Sequence, residues 1–583
     1  MPPDEPAGVD RRRFLGLVSA AGLLASADLL PASAPASALG RTPLARALAD
    51  DEPITKEMVT RAAALIGLAF SDSEIELMME GLEEQREAFA GLRAVPIPNS
   101  LPPALVVDPL APARDAPAAA RPYRPGEPAA ADPPADPAGL ALLPVHRLAG
   151  LLRERRITST GLTELYLDRL KRHGPRLECV VTLTEERALE QAARADAEIA
   201  AGRWRGPLHG IPWGAKDLLA VAGYPTTWGA RPFVDQTIDE DAEVVRRLDA
   251  AGAVLVAKLT LGALAWGDVW FGGMTRNPWN LEQGSSGSSA GSAAATVAGL
   301  VGFAIGSETL GSIVSPCTRT GATGLRPTFG AVPRTGAMAL SWSMDKLGPI
   351  CRSVEDCALV YAAIRGPDGV DPSVPREVPF GWDPAVPLAD LRVGFLESAF
   401  EPDEEEDEDS TRPFDVKALE VLRGLGAELL PVRLPGIDPG PMRIVLSAEA
   451  AAAFDELTRS GRDDEMVRQV ADAWPNVFRH SRLVPAVEYL LANRLRTRLV
   501  AEMEAAMAEV DVFVSPSFAG GLLLTTNLTG HPAVVLPNGF RQDGTPVSIT
   551  FTGRLHGDAE ALMAARHYQA ATGFHHRRPP GFE

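Results

Sequence analysis

The sequence contains few cysteines and no excess of basic residues, and both absences narrow the range of functions. Four cysteines occur among 583 residues, and none is arranged as Cys-x-x-Cys. This excludes a disulfide-stabilised scaffold and gives a thiolate zinc site little support. The formal net charge is −20, whereas nucleic-acid binding needs a basic surface that contacts phosphates. The composition therefore disfavours nucleic acid as a constant partner.

Long apolar runs are also lacking, since no stretch reaches the ~18 apolar residues typical of a transmembrane helix. Hydrophobic residues nevertheless make up 46% of the chain and charged residues 23%, which is the composition of a folded globular protein. The 53 glycines and 51 prolines indicate many turns or a proline-rich segment. By length alone, the chain has room for about four domains.

The first 38 residues have the layout of an export signal. Three arginines at 11–13 precede Phe-Leu, a mild apolar stretch follows, and two Ala-Ser-Ala triplets lie at 32–34 and 36–38. The consecutive arginines resemble a twin-arginine signal. We therefore predict that residues 1–38 direct export and that the mature protein is soluble in the periplasm or outside the cell. A basic tail or an uncleaved anchor is the alternative.

Residues 54–92 carry the pattern of a helical hairpin. Apolar side chains recur at helical spacing from Val59 to Phe70 and again from Ile75 onward. Between the two helices, Ser71-Asp72-Ser73-Glu74 forms a capping box, which satisfies free N–H groups at the start of a new helix. The segment resembles the small C subunit of the three-subunit glutamine-dependent tRNA amidotransferase. A plain amphipathic hairpin is the alternative.

Two further regions follow the hairpin. Residues 95–140 are rich in Pro and Ala and predict a linker, because such a segment buries too little apolar surface to fold. Residues 145–582 alternate helical patterns with short apolar runs such as 180–183, 254–257, 300–305 and 510–514. This alternation predicts one α/β unit with a sheet that helices cover on both faces. The acidic run 401–409 is expected to be a solvated loop.

A lysine stands among small and apolar residues in the segment 210–217, Gly-Ile-Pro-Trp-Gly-Ala-Lys-Asp. Burial disfavours a charged amine, so the pKa of Lys216 should fall from about 10.4 toward neutrality. A neutral amine can act as a general base. The alternative is a surface lysine that pairs with Asp217.

Two segments rich in glycine and serine follow. Residues 284–292, Gly-Ser-Ser-Gly-Ser-Ser-Ala-Gly-Ser, precede an apolar helical run, which favours an ordered loop over a linker. A phosphate-binding loop would continue with Gly-Lys-Ser/Thr, and this one does not. Residues 306–313 follow the predicted strand at 300–305 and place serine in a tight turn. Consecutive N–H groups of such a turn can form an oxyanion hole.

Together and in this order, these segments resemble the amidase signature family, and the resemblance spans residues 145–582. The other matching segments are Leu208-His209-Gly210-Ile211-Pro212, Asn277-Pro278-Trp279-Asn280, Gly324-Leu325-Arg326-Pro327-Thr328, Asp345-Lys346-Leu347-Gly348-Pro349, Thr526-Asn527-Leu528-Thr529-Gly530-His531-Pro532 and Gly553-Arg554. The resemblance implies the amidase signature fold, in which helices cover both faces of a large mixed β-sheet.

The resemblance also implies a Ser–cis-Ser–Lys triad. Ser312 matches the nucleophile, Ser288 the bridging serine after a cis peptide bond, and Lys216 the base that accepts a proton through Ser288. The backbone N–H groups that would form the oxyanion hole are those of Thr309, Leu310, Gly311 and Ser312. Such a site hydrolyses an amide through an acyl-enzyme and needs no metal and no organic cofactor. His209 is interpreted as structural, and Arg496 either as a contact to a substrate carboxylate or as a structural arginine.

Five features depart from the family pattern. Leu310 replaces a glycine and would narrow the site with its side chain. Glu308 replaces an aspartate and Val314 an arginine, so an ionic pair across the turn is expected to be missing. Ala263 stands where the amidotransferase subunits have glutamate, and an acidic residue before the Asn-Leu-x-Gly stretch is absent. Both changes weaken the case for glutamine as substrate.

Three hypotheses remain open from the sequence. The first is an exported amidase that acts on a small carboxamide or peptide amide, with no nucleic-acid partner and no stable membrane span. The second is the A-type subunit of a glutamine-dependent amidotransferase with a fused C-like segment. The third is a catalytically inactive binding protein on the same fold.

Overall fold

The structure is a computed structural model that describes residues 53–93, 98–100, 105, 107–108, 121–126, 132–401 and 411–582. The predicted export signal at 1–38 lies outside these residues. So do much of the predicted linker and residues 402–409 of the acidic run.

The described part of the chain alternates helices with short strands. Its α-helices are α1 Lys56–Leu65, α2 Asp72–Arg93, α3 Val145–Arg153, α4 Ser159–Leu177, α5 Glu185–Ala200, α6 Glu243–Ala250, α7 Ala290–Val297, α8 Val314–Thr320, α9 Val354–Ile364, α10 Arg412–Gly424, α11 Ile444–Ala453, α12 Asp455–Arg459, α13 Trp474–Ser481, α14 Ala486–Ala506, α15 Leu522–Thr529 and α16 Asp558–Thr572. Its strands are β1 Val180–Leu183, β2 Pro212–Lys216, β3 Val254–Leu259, β4 Val269–Trp270, β5 Gly273–Met274, β6 Arg276–Asn277, β7 Asn280–Gly284, β8 Phe303–Glu308, β9 Thr323–Arg326, β10 Lys346–Cys351, β11 Val393–Leu396, β12 Leu430–Val432, β13 Val512–Pro516, β14 Ala533–Phe540 and β15 Pro546–Gly553.

Eleven of these strands form one mixed sheet in the order β1-β3-β2-β8-β10-β9-β14-β15-β13-β11-β12. Strand β2 pairs in parallel with both β3 and β8, whereas β10 runs antiparallel to β8 and β9. Every residue of β2, β3, β8, β9 and β10 is buried. Because successive side chains of a strand point to opposite faces, both faces of this part of the sheet are covered. The prediction of a mixed α/β fold is confirmed.

The ends of three neighbouring strands lie side by side at one end of the sheet. Lys216 ends β2 and Glu308 ends β8, and the parallel pairing of these strands puts both carboxyl ends on the same side. Lys346 begins the antiparallel strand β10 directly opposite Glu308. Three ionisable side chains therefore lie at the same end of these strands.

Several strand boundaries differ from the apolar runs. The run at 300–305 predicts a strand, but β8 begins only at Phe303. The reason is that the N–H of Leu300 donates to the carbonyl of Ala295 and Gly299 has φ +67°, so these residues cap helix α7. The later strand β13 begins at Val512 rather than at 510.

Helices α1 and α2 lie within the predicted hairpin. The N–H of Ser71 donates to the Glu74 carboxylate at 2.7 Å, and the N–H of Glu74 donates to the Ser71 hydroxyl at 3.4 Å, which is a capping box. The apolar stripe is shorter than expected, because α1 ends at Leu65 and the side chains from 66 to 70 lie exposed in the connection. No helix in the described ranges has both the length and the apolar character to cross a bilayer.

Candidate active site

The side chain of Lys216, at the carboxyl end of β2, is completely buried. Its Nζ lies 2.9 Å from Ser288 Oγ, 3.0 Å from Ser289 Oγ and 2.8 Å from Ser307 Oγ. Burial outweighs the attraction of Asp345 and Glu308 and holds the pKa of Lys216 well below its usual value of 10.5. The surroundings therefore favour a neutral amine among hydroxyl groups.

Asp217 does not pair with Lys216. Its carboxylate lies 2.7 Å from Nζ of Lys258, and both side chains are fully buried. The interpretation of Lys216 as a surface lysine paired with Asp217 is therefore wrong. Because Asp217 pairs with Lys258, the amine of Lys216 contacts serine hydroxyls instead of the adjacent carboxylate.

Ser288 follows a cis peptide bond from Gly287, as the family resemblance implies. Only glycine fits at 287, because a Cβ there would lie 1.9 Å from the carbonyl oxygen of Gly267. The next residue, Ser289, donates its backbone N–H to the carbonyl of Ser312 at 3.1 Å. This bond ties the serine loop to the turn that carries the predicted nucleophile.

Ser312 lies in a turn between β8 and α8 and is 8% exposed. Within the described residues, its hydroxyl makes no hydrogen bond, and neither do the backbone N–H groups at 309–312. Gly311 has φ +84°, a conformation that glycine adopts without strain. The turn thus presents consecutive free N–H groups beside a serine hydroxyl, which is the arrangement that an oxyanion hole requires.

The next two N–H groups are occupied by Glu308. Its Oε2 accepts from Ile313 at 2.8 Å and from Val314 at 3.0 Å, while Oε1 accepts from Arg326 at 2.9 Å and from Asn527 at 2.8 Å. Although burial alone would raise it, Arg326 and the N–H of Val314 lower the pKa of Glu308 to about 2.

The expectation that the turn lacks an ionic pair is therefore wrong. The longer glutamate reaches the buried Arg326 on β9, which is separated from β8 by β10, and caps the first N–H groups of α8. No arginine is needed at 314, where Val314 packs in an apolar cluster with Ile313 and Cys317.

Leu310 turns its side chain into protein rather than across the turn. It packs against an apolar cluster that includes Met344, Val445 and Leu524. Leu310 is not among the residues with positive φ, so a side chain is tolerated where the family has glycine. Its backbone N–H remains available.

Thr309 is held by a carboxylate that sequence reasoning did not single out. Its hydroxyl donates to Asp345 Oδ1 at 2.5 Å, and Asp345 Oδ2 accepts from the N–H groups of Leu340 and Ser341. Desolvation raises the pKa of Asp345. The segment Asp-Lys-Leu-Gly-Pro at 345–349 was the available signal, but nothing in it indicated a partner at 309.

Arg496 is buried and points into the protein. It donates from Nε to the carbonyl of Leu528 at 2.5 Å, from Nη1 to Ser343 Oγ at 2.8 Å and from Nη2 to the Ser343 carbonyl at 2.7 Å. These bonds join α14 to α15 and to the loop before β10, which is a structural role. These contacts favour the structural interpretation of Arg496 over a contact to substrate.

His209 also faces protein groups. Its ring lies 3.2 Å from the Glu198 carboxylate, and its Nδ1 accepts from the N–H of Arg205. Burial lowers the pKa of His209. These contacts agree with the interpretation of His209 as structural.

A cleft of about 1010 Å³ opens beside the serine loop. It is lined by Ser286, two residues before Ser288, by Ser315, three residues after Ser312, and by the loop 516–520. This loop leads into α15, where Leu523 would lie 3.2 Å from a Cβ on Gly311. The cleft lining thus comes within a few residues of Ser288 and Ser312 along the chain but includes neither of them.

The walls of the cleft are polar and carry both signs of charge. Thr318, Ser548 and Ser517 form a chain of hydroxyls 2.6 and 2.7 Å apart. Its charged lining residues are Arg319, Arg412, Arg541, Glu401, Asp415 and Asp543. Burial raises the pKa of Asp415 to about 6. In the described ranges, His, Cys, Asp and Glu side chains form no cluster of three or more that would suit a metal ion.

Comparison with known proteins gives matches over most of the chain. The family model "Amidase" matches residues 161–522. The A-type subunit of the glutamyl-tRNA(Gln) amidotransferase of Moorella thermoacetica is 33% identical over 489 residues, which are 76% of this chain and 99% of that protein.

Solved structures give the same picture. The peptide amidase of Stenotrophomonas maltophilia is 31% identical, with a TM-score of 0.67 over 77% of this chain and 100% of that one. A bacterial aryl acylamidase of the amidase signature family has a TM-score of 0.66 over 76% of this chain and 99% of its own. At 23% identity, the latter supports the fold alone.

Proposed function

The chain belongs to the amidase family, and from this premise we propose that it hydrolyses amide bonds with Ser312 as nucleophile, Ser288 as bridging serine and Lys216 as base. The observation that carries the proposal is the buried Lys216 amine, 2.9 Å from Ser288 Oγ and flanked by two further hydroxyls. A surface lysine would stay protonated at neutral pH, whereas this one has the lowered pKa that a base needs.

The hydrogen bonds around Lys216 assign its lone pair. Ser289 donates its hydroxyl proton to the carbonyl of Ser307, so Ser289 Oγ must accept from Lys216. A neutral amine has two donors and one lone pair; when the second donor goes to Ser307 Oγ, the lone pair faces Ser288. In this arrangement Lys216 accepts the Ser288 proton, and Ser288 in turn accepts the proton of Ser312.

The reaction then proceeds by acyl transfer. Ser312 Oγ attacks the amide carbonyl, and the free N–H groups at 309–312 stabilise the oxyanion of the tetrahedral intermediate. One such donor contributes about 3–4 kcal/mol in other serine hydrolases. The proton returns from Lys216 through Ser288 to the leaving amine, and water hydrolyses the acyl-enzyme by the same relay.

The cleft lined by Ser286 and Ser315 is the proposed substrate site, and its chemistry supports a polar amide. Hydroxyl groups and charged side chains of both signs line it, which suits a small carboxamide or a peptide amide better than a long aliphatic acyl chain. The similarity to a peptide amidase points in the same direction.

The A-type component of a glutamine-dependent amidotransferase is the second candidate, because one such protein aligns over 76% of this chain. Two features oppose it. Subunits that use glutamine have an acidic residue at the position of Ala263 and another before Asn527, and this sequence has neither. The arginines in the first 38 residues indicate export, which would separate the protein from tRNA. Release of ammonia from glutamine that rises on addition of tRNA and the B-type component would favour this candidate.

We propose in addition that the enzyme acts outside the cytoplasm. The support is the order of an arginine cluster, a short apolar stretch and Ala-Ser-Ala triplets in residues 1–38. Sequencing the N-terminus of the protein from a periplasmic or culture fraction tests this. A start just after residue 34 or 38 supports export, and an intact Met1 in the cytosolic fraction contradicts it.

The test of the function is substitution of the proposed nucleophile. Ser312→Ala should abolish hydrolysis across a panel of carboxamides and peptide amides, followed as release of ammonia. Ser460→Ala removes an exposed hydroxyl outside the cleft and should retain activity. A fluorophosphonate probe should label the unaltered protein at Ser312. Full activity of Ser312→Ala, or a protein that neither turns over amides nor reacts with the probe, would refute the proposal.

A further inference from the structure

Asn99, which lies well before the first strand of the sheet, is bonded to a loop next to the active site. Its Oδ1 accepts from the N–H of Ala339 at 2.7 Å, and its Nδ2 donates to the Ala339 carbonyl at 2.8 Å and to the Ala453 carbonyl at 3.3 Å. The indole N–H of Trp342 donates to the Asn99 carbonyl at 3.3 Å. The amide thus engages both polar backbone groups of one residue.

The loop that it holds, residues 339–345, ends in the carboxylate that binds Thr309. The N–H groups of Leu340 and Ser341 donate to Asp345 Oδ2 at 2.8 and 2.9 Å. Asp345 Oδ1 accepts from the Thr309 hydroxyl at 2.5 Å. A continuous path of hydrogen bonds and one peptide unit therefore joins Asn99 to the first N–H donor of the proposed oxyanion hole.

The opposite side of the same loop is fixed by the core. Glu449 accepts from the hydroxyls of Ser341 and Ser343, both at 2.7 Å, and from the N–H of Ser343. Arg496 donates to Ser343 twice. Helices α11 and α14 thus hold the middle of the loop, whereas Asn99 holds its beginning.

We propose that Asn99 is a positioning residue for the amidase reaction, which fixes Thr309 in the oxyanion turn through the loop 339–345. The proposal rests on the proposed function, because it matters only if that turn stabilises an oxyanion. Donors of an oxyanion hole act by being held in place before charge develops. A small displacement of such a donor lowers the rate of the chemical step with little effect on binding.

A double-mutant cycle tests this in the full chain. Asn99→Ala should lower kcat about tenfold and change KM less than about twofold. Thr309→Val keeps the backbone N–H but removes the bond to Asp345. If Asn99 acts through this bond, Asn99→Ala in the Thr309→Val background should lower kcat by less than about twofold. Rates are divided by the fraction of protein that a fluorophosphonate probe titrates, so a loss of folded enzyme is not counted.

Arg124→Ala is the matched control, because Arg124 lies in the same N-terminal region and its exposed side chain pairs with Asp383 instead of the loop. It should leave kcat unchanged. If Asn99→Ala does not give soluble protein, Asn99→Asp is measured in its place by the same criteria. It keeps the shape of the side chain but presents an oxygen, in place of the amide donor, to the carbonyls of Ala339 and Ala453.

The outcomes separate the two proposals. If Ser312→Ala is inactive while Asn99→Ala keeps its kcat, or the two losses multiply in the double variant, the positioning role is refuted and the function stands. If Ser312→Ala remains active, the function fails and the positioning role fails with it.

Discussion

Glu308 Oε1 lies 2.9 Å from Arg326 Nη1 in an ion pair from which solvent is excluded, with side-chain exposures of 0% and 1%. The same carboxylate caps the two backbone N–H groups that follow Ser312. One side chain therefore both neutralises a buried cation and fixes the turn that carries the proposed nucleophile.

Glu308→Gln should destabilise the fold and slow the reaction. The substitution keeps the size of the side chain but leaves the guanidinium of Arg326 without its counter-charge, and breaking a buried pair in this way costs about 3–5 kcal/mol. Urea unfolding measures the free energy, and the rate of amide hydrolysis measures the effect on the turn. Glu282→Gln, at an exposed position of β7, is the control and should change neither quantity. A stable, fully active Glu308→Gln protein would mean that the pair does not hold the turn.

Gly311→Ala should impair catalysis more than folding. The backbone at 311 has φ +84°, so alanine costs about 1 kcal/mol, and its Cβ would lie 3.2 Å from Leu523. Relief of this contact must move the N–H groups beside it, and we expect kcat to fall at least about tenfold. Gly426→Ala is matched to it, since φ is +90° and no atom lies within 4 Å of the added Cβ.

Comparing the two variants separates the effect of moving the N–H groups at 309–312 from the general cost of alanine at a positive φ. Both should lose similar stability in thermal melting, but only Gly311→Ala should lose activity. Equal activity of the two proteins would contradict the assignment of this turn as the oxyanion hole.

The sequence predicted the α/β fold, because apolar runs indicate buried strands. The small and apolar residues around Lys216 left a buried base and a surface lysine both open, and Ser288 and Ser312 were implied by the family resemblance. Glu308 and Arg326 are different, since their contact depends on the strand order of the sheet, which places β9 two strands from β8. Periodicity does not give strand order, so an aspartate-to-glutamate change looked like the loss of a pair that the structure retains.

Arg496 and Asn99 illustrate a second limit. Both contact the loop 339–345 from segments more than a hundred residues away, and neither belongs to a motif that names its partner. For Arg496, a lone arginine outside any motif left both a substrate contact and a structural role open. Only the positions of α14 and α15 decide between them.

Arg496→Lys should lower stability without altering substrate preference. Lysine cannot reproduce the three bonds to Leu528 and Ser343, and loss of charge-assisted hydrogen bonds predicts a decrease of about 2 kcal/mol in the free energy of unfolding. KM should change by the same factor for amides with and without a carboxylate. Arg498→Lys on the same helix, where Arg498 is 70% exposed and pairs with Glu502, should be neutral. A selective rise in KM for the carboxylate substrates would restore Arg496 as a substrate contact.

The pH dependence of the reaction should report Lys216. The proposed base must be neutral, and burial holds its pKa well below 10.5, so kcat/KM should rise with pH and reach its plateau well below that value. As the pH falls through the lowered pKa, the buried amine gains a proton and loses both its lone pair and its favourable environment. Because the unfolded chain already binds this proton near pH 10.5, the free energy of unfolding should fall as the pH drops from 10.5 to the lowered pKa, and should level off below it.

Lys216→Met removes the base while it fills the same apolar space, and should abolish the ascending limb together with most of the activity. Lys258→Met is the contrasting variant, because Lys258 is equally buried but pairs with Asp217. It should destabilise the fold through the unpaired carboxylate, yet leave the midpoint of the ascending limb in place for the protein that remains folded. A rate profile in which Lys216→Met keeps the ascending limb would show that another group supplies the base.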